Sequence, residues 1–183
     1  MIWLVRHGET DHNRPPPRFQ GHFDVPLNET GRKQARALAQ QLAAADHRPV
    51  ALYASPLVRA LETAEIIGAA LELEPVLDAR LAESNRGSWE GRSFTDVEQA
   101  EPAAYAAWHA AGEGFRFPGG ESLQEQMDRV TAALADIEQA HPRAPVLVVC
   151  HGGSIRVALC DARGTGLAAF HSWDVPNGAL ISL

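Results

Sequence analysis

Five apolar residues in a row, VLVVC at 146–150, constrain this chain more than any other stretch. A strand without alternation has no face for water, so it belongs in a sheet covered on both sides. The segment before it, ESLQEQMDRVTAALADIEQAHP, is the clearest helix. Ser122 and Glu125 make a capping box. Leu123, Met127, Val130, Leu134 and Ile137 then step by four and three along one face, and His141-Pro142 ends the run. After the strand come His151, Gly152 and Gly153, with another helix starting near Ser154.

The same alternation recurs along the chain. Ile2 to Val5 form a second short apolar strand, VALYA at 50–54 is β-prone, and ALISL closes the sequence as a further strand. PLNETGRKQARALAQQLAAAD opens a helix whose Ala35, Leu38, Ala39 and Leu42 share one face. In SPLVRALETAEIIGAAL, Ser55 is placed to cap, Pro56 suits the first helical position, and Leu57, Ala60, Ala64, Ile67 and Leu71 line a face. Apolar strands alternating with amphipathic helices predict an α/β fold, a three-layer α/β/α sandwich with a mostly parallel central sheet. The 183 residues suit one domain over 1–183. RPPPR at 14–18 is a rigid loop, because strand and helix signals resume soon after it.

In such sheets ligands sit beyond the carboxyl ends of the strands. Here those ends carry Arg6-His7, His151-Gly152-Gly153, and Ser55 followed one turn later by Arg59. Two histidines and two arginines on one sheet edge point to a phosphoryl group. Guanidinium forks match phosphate oxygens and keep their charge at any working pH. Neutral imidazole is a competent nucleophile for phosphorus. The net charge of −7 argues against nucleic acid or a membrane surface as partner, so an anion site must be a local arginine cluster. Two cysteines make no disulfide framework, and no run approaches the ~18 apolar residues of a membrane helix. The N-terminus is too poor in apolar residues for a signal peptide, so a cytoplasmic location is expected.

LVRHGETDHN resembles the RHG signature of the histidine phosphatase superfamily, in its phosphoglycerate-mutase-like branch. FQGHFDVPLNETGRKQA, LYASPLVRALETAEII, ARLAESNRGSWEG, FPGGESLQEQMDRV and VVCHGGSIRVAL resemble the family's later blocks in family order, covering nearly the whole chain. The resemblance implies a phosphoglycerate-mutase-like fold and a metal-independent phosphatase that forms a phosphohistidine on His7. Arg6, Arg59 and His151 would hold the phosphoryl oxygens, with His151 protonated to add positive charge. Glu83 would be the general acid, its pKa raised by the neighbouring phosphate. Asn13 would add a phosphate contact, Gln20 and Gly21 would lie at the substrate mouth, and Gly152 would let backbone approach the oxyanion. No metal and no cofactor are implied, and the partner is a small phosphorylated molecule. His12 departs from the tryptophan that many relatives carry.

Residues 93–118 would fold as a helix and loop, a small lid over the site, with Phe94, Tyr105, Trp108 and Arg116 as candidates for its lining. Short members of the branch include α-ribazole phosphatases and broad-specificity phosphatases. A phosphoglycerate mutase and a non-enzymatic phospho-ligand binding module remain as alternatives, and the oligomeric state is left open. A metallohydrolase built on His7, His12 and His22 matches no zinc spacing. Cys150 sits inside an apolar strand, as an inert thiol would. Ser154 lacks the G-x-S-x-G turn of serine hydrolases.

Overall fold

The computed structural model describes residues 1–111 and 114–183. Its elements are β1 (Ile2–Arg6), α1 (Glu29–Ala43), β2 (Ala51–Ala54), α2 (Val58–Leu71), β3 (Pro75–Leu77), α3 (Phe94–Ala100), α4 (Pro102–Ala110), α5 (Leu123–Ala140), β4 (Val146–Cys150), α6 (Gly152–Ala162) and β5 (Leu180–Ser182). The strands form one sheet in the order β3-β2-β4-β1-β5. β1, β2, β3 and β4 run parallel, while β5 pairs antiparallel with β1.

The apolar run at 146–150 occupies the centre of this sheet, and all five of its residues are buried. Alternate side chains serve opposite layers. Val5, Leu52, Ala54, Leu147 and Val149 meet α1 and α2 through Leu38, Leu42, Ala64 and Ile67. Leu4, Val146, Val148 and Cys150 meet α5 and α6 through Val130, Leu134, Ile155 and Ala158. The expected three-layer α/β/α sandwich with a mostly parallel sheet is therefore present.

Local details differ from expectation in three places. α2 starts at Val58 with Leu57 as its N-cap, so Ser55 does not cap the helix and Pro56 precedes it. The Ser55 hydroxyl is engaged across the sheet edge with His151 instead. β3 carries only three residues, too few for a periodic pattern to register. The segment expected as one helix and a loop contains two helices, α3 and α4, joined at Glu101. Ser93 caps the first in a capping box with Asp96, and Pro102 opens the second. Of the stretch 93–118, residues 112–113 lie outside the described residues.

These two short helices are held by aromatic packing. Trp108 of α4 meets Phe19 at 5.1 Å, Phe94 at 5.8 Å and Trp89 at 6.3 Å between ring centroids. Trp89 is fully buried and also contacts Phe117 edge-on at 5.5 Å. Edge-to-face pairs of this kind add about 0.5–1.5 kcal/mol each beyond the area they bury.

Candidate active site

The parallel register of β1 and β4 aligns Arg6 with Cys150, so His7 and His151 leave adjacent central strands at the same level. The His7 backbone N–H donates to the Cys150 carbonyl at 3.0 Å. Their rings lie 5.2 Å apart at an angle of 58°. His7 Nδ1 is 2.7 Å from the Gly8 carbonyl oxygen. A carbonyl only accepts, so Nδ1 carries the proton and Nε2 keeps its lone pair. Burial holds the His7 pKa well below 6.5, and the nearby Arg59 and Arg6 push it further down. The ring is thus neutral at neutral pH.

His151 lies behind His7, fully buried and off the cavity wall. Its Nε2 shares a 2.7 Å hydrogen bond with the Ser55 hydroxyl, and its Nδ1 is buried without a partner among the described residues. Burial, then Arg59 and His7, keep its pKa well below 6.5. His151 is therefore neutral in the free protein, its cation opposed by burial and by the nearby Arg59; the protonated form was expected against a bound phosphoryl group.

Arg6 donates to the Val175 carbonyl at 2.6 Å. Arg59 is fully buried and donates to the carbonyls of Gly21 at 2.7 Å and Phe23 at 3.3 Å. It thereby fixes the loop that carries Gln20 and Gly21. Burial brings both guanidinium pKa values down to about 10, which leaves them charged at neutral pH. Asn13 Oδ1 accepts from the Thr10 backbone N–H at 2.9 Å, and the Thr10 hydroxyl donates to Gln20 Oε1 at 3.0 Å. With those oxygens occupied, both amides have their NH2 groups free to donate into the cavity they line.

Glu83 is held by a ring of donors. Its Oε1 accepts from the Ser84 backbone N–H at 3.0 Å and Gln126 Nε2 at 2.8 Å, while Oε2 accepts from the Gly153 N–H at 3.0 Å. Arg86 stands 3.6 Å from Oε2. Burial would raise the Glu83 pKa. Arg86 and the hydrogen bonds outweigh it and bring the value down to about 2. In the free protein the carboxyl is therefore ionised; the raised acid was expected beside a bound phosphate dianion. Gly153 is required here, because a Cβ would lie 2.1 Å from Glu83 Oε1.

A single cavity of about 270 Å³ is walled by His7, Arg6, Arg59 and Glu83, and by Asn13, Gln20, Gly21 and Gly152. Eight of the nine residues singled out in the sequence thus share it, and His151 backs it. Of the lid candidates, Phe94 and Trp108 reach the cavity. Tyr105 packs against Trp108 at 5.5 Å instead, and Arg116 pairs with Glu125 at the surface. His12 stacks on Phe23 at 5.5 Å, an aromatic contact in place of the indole expected there. Arg18, Arg86, His109, Arg156 and His171 also line the cavity and were not expected there. The available signals were weak: Arg86 stands three residues after Glu83, and Arg156 lies on α6 just past the double glycine. Among the described residues no three His, Cys, Asp or Glu side chains gather as a metal site.

An α/β sheet whose central strand ends deliver a neutral histidine between buried arginines defines a histidine-based phosphohydrolase. The chain belongs to the histidine phosphatase superfamily, branch 1, whose family model matches residues 2–183. It is 36% identical over 176 residues to phosphoserine phosphatase 1 of Hydrogenobacter thermophilus, covering 96% of this chain and 82% of that one. A mycobacterial glucosyl-3-phosphoglycerate phosphatase solved with VO3 superposes with a TM-score of 0.88 at 30% identity, covering 98% of this chain and 90% of that one. The α-ribazole phosphatase of Shigella flexneri superposes with a TM-score of 0.85 at 27% identity, covering 98% and 87%. The chain is a phosphomonoesterase for small molecules.

Proposed function

We propose that the chain hydrolyses a small phosphomonoester through a phosphohistidine on His7, without a metal ion. The observation that carries this is the His7 tautomer: Nδ1–H is tied to Gly8, which leaves Nε2 basic beside two buried arginines. Arg6 and Arg59 supply positive charge that other phosphoryl-transfer enzymes take from metal ions. Asn13 and Gln20 add N–H donors.

Proton balance follows from the ionised Glu83. A phosphomonoester near pH 6 exists partly as the monoanion. Its proton passes to Glu83 as the dianion settles between the arginines. Nε2 then bonds to phosphorus, the ester P–O bond breaks, and Glu83 returns the proton to the departing oxygen. In the second half, water attacks phosphorus, the N–P bond breaks, and Glu83 takes a proton from the water. Alcohol leaves, and the proton on Glu83 passes to the departing inorganic phosphate, so that the carboxylate is ionised again.

α-Ribazole phosphate, phosphoserine and glucosyl-3-phosphoglycerate are the candidate esters, being those for which the relatives are named. No helix among the described residues is long and apolar enough to cross a membrane. With a net charge of −7, the reading is of a cytoplasmic enzyme on free esters, with neither nucleic acid nor membrane as partner.

The test is trapping of the protein with a labelled ester after EDTA treatment, quenched in alkaline detergent. Label retained in alkali, lost in acid and mapped to His7 is the expected result. Activity abolished by EDTA and restored by a metal ion would overturn it. Release of inorganic phosphate, rather than movement of the phosphoryl group within a phosphoglycerate, separates the hydrolase from the mutase.

A further inference from the structure

The cavity holds more positive charge than a phosphoryl group needs. Arg6 and Arg59 match the two charges of a phosphate dianion. Arg86 and Arg156 also line the wall, and Glu83 is the one carboxylate facing them among the described residues. Arg86 is nine-tenths buried, yet its guanidinium makes no hydrogen bond to any described residue. Its nearest anion is Glu83, at 3.6 Å. It lies against the rings of Phe117 at 5.0 Å, Phe19 at 5.5 Å and Trp108 at 6.0 Å, a wall that offers no further acceptor. Arg156 spends its Nε on the Trp173 carbonyl at 3.1 Å and leaves its terminal nitrogens without a hydrogen-bond partner among the described residues.

These groups also oppose one another. Burial is the main cause of the lowered Arg6 pKa, and repulsion from Arg156 and Arg86 adds to it. Desolvated guanidinium groups held together without acceptors are costly unless an anion completes them. Inorganic or ester phosphate satisfies only the pair beside His7.

Resting on the phosphatase reading, we propose that Arg86 and Arg156 form a second anion subsite, so that the preferred substrate carries a carboxylate on its leaving group. The carboxylate would take the guanidinium donors left open on the outer side of the phosphoryl pocket, beneath Trp108. It would also draw Arg86 away from Glu83. Arg86 is the leading attractive charge holding Glu83 ionised. A substrate with the second anion therefore helps Glu83 accept the proton it must later deliver, while an ester lacking the anion leaves Glu83 tied to Arg86.

Phosphoserine and phosphoethanolamine test this, since they differ by one carboxylate. The wild-type protein is expected to favour phosphoserine by about tenfold or more in kcat/KM, the scale of one charge-assisted contact. Arg86→Gln and Arg156→Gln should each shrink that ratio to within about threefold. A ratio between two substrates in one sample cancels any loss of folded protein. A measurement without variants adds to it: phosphoserine should compete with p-nitrophenyl phosphate at lower concentration than phosphoethanolamine does. Equal kcat/KM for the two esters in the wild type, or an undiminished preference in both variants, would overturn the subsite. Failure to hydrolyse even p-nitrophenyl phosphate would overturn the phosphatase reading itself.

Discussion

The floor and the wall of the cavity are built on different principles. The floor comes from strand ends. Its side chains are pinned by hydrogen bonds to backbone: His7 to Gly8, Arg6 to Val175, Arg59 to Gly21, and Glu83 to Ser84 and Gly153. The wall comes from α3, α4 and the loop around Arg86, held by ring-on-ring contacts. Backbone bonds fix direction to a few tenths of an ångström, as an in-line displacement demands. Aromatic packing tolerates exchange of shape and leaves Arg86 without a fixed acceptor. On the function and subsite proposed above, chemistry belongs to the floor and selectivity to the wall of one cavity.

Changes to the floor should remove turnover with little cost in stability, and changes to the wall should do the reverse. The largest effect is expected for His7→Ala: kcat should fall about 10³-fold or more, with Tm within a few degrees of the wild type. Turnover near normal in a folded variant would remove the distinction altogether.

Glu83→Gln comes next and sharpens the comparison within the floor. It keeps the shape but cannot carry the proton, so kcat for alkyl esters should fall about 10²-fold with KM nearly unchanged. The loss should shrink for p-nitrophenyl phosphate, whose phenolate leaves unaided. Equal losses on both substrates would move the acid role to water.

On the wall, Trp108→Ala should cost about 3–5 kcal/mol of stability through the cavity it leaves, read as a lower denaturation midpoint. Hydrolysis of p-nitrophenyl phosphate per folded molecule should fall far less than in His7→Ala. A collapse of turnover as deep as that of His7→Ala would show that the wall is part of the chemistry.

The smallest effect concerns pH. His7, His12, His151 and His171 all have folded pKa values below 6.5, for which burial is the leading cause in each. The unfolded chain takes up protons near 6.5 that the folded chain refuses, so stability should drop as pH falls through 6.5. Glu83 acts in the same direction lower down: its stabilisation is complete above its unfolded value of 4.5 and fades as pH falls toward about 2. Calorimetry between pH 7.5 and 5.5 should show a falling Tm, with a shallower slope in His151→Asn. A flat profile would mean these rings are solvated rather than buried.

Much of this was legible beforehand because it is local. Apolar runs announced β1 and β4, and the Ser122–Glu125 box announced α5. The strand-end rule then gathered His7, Arg6, Arg59 and His151. Ser55 shows the limit: its neighbours Pro56 and Leu57 read as a helix start, but the Ser55 hydroxyl is used 96 residues away. Arg86 and Arg156 carry no periodic or capping signal, so nothing along the chain marks them as facing the cavity.

The sequence by itself determined the layers, the sheet and which histidines and arginines gather at its edge, because strand pattern, helix capping and strand-end position act over a few residues. Only the tertiary structure decided the protonation states of His7, His151 and Glu83 and the surplus of guanidinium charge. Those depend on desolvation and on charges from distant segments, which act through space and leave no pattern along the chain.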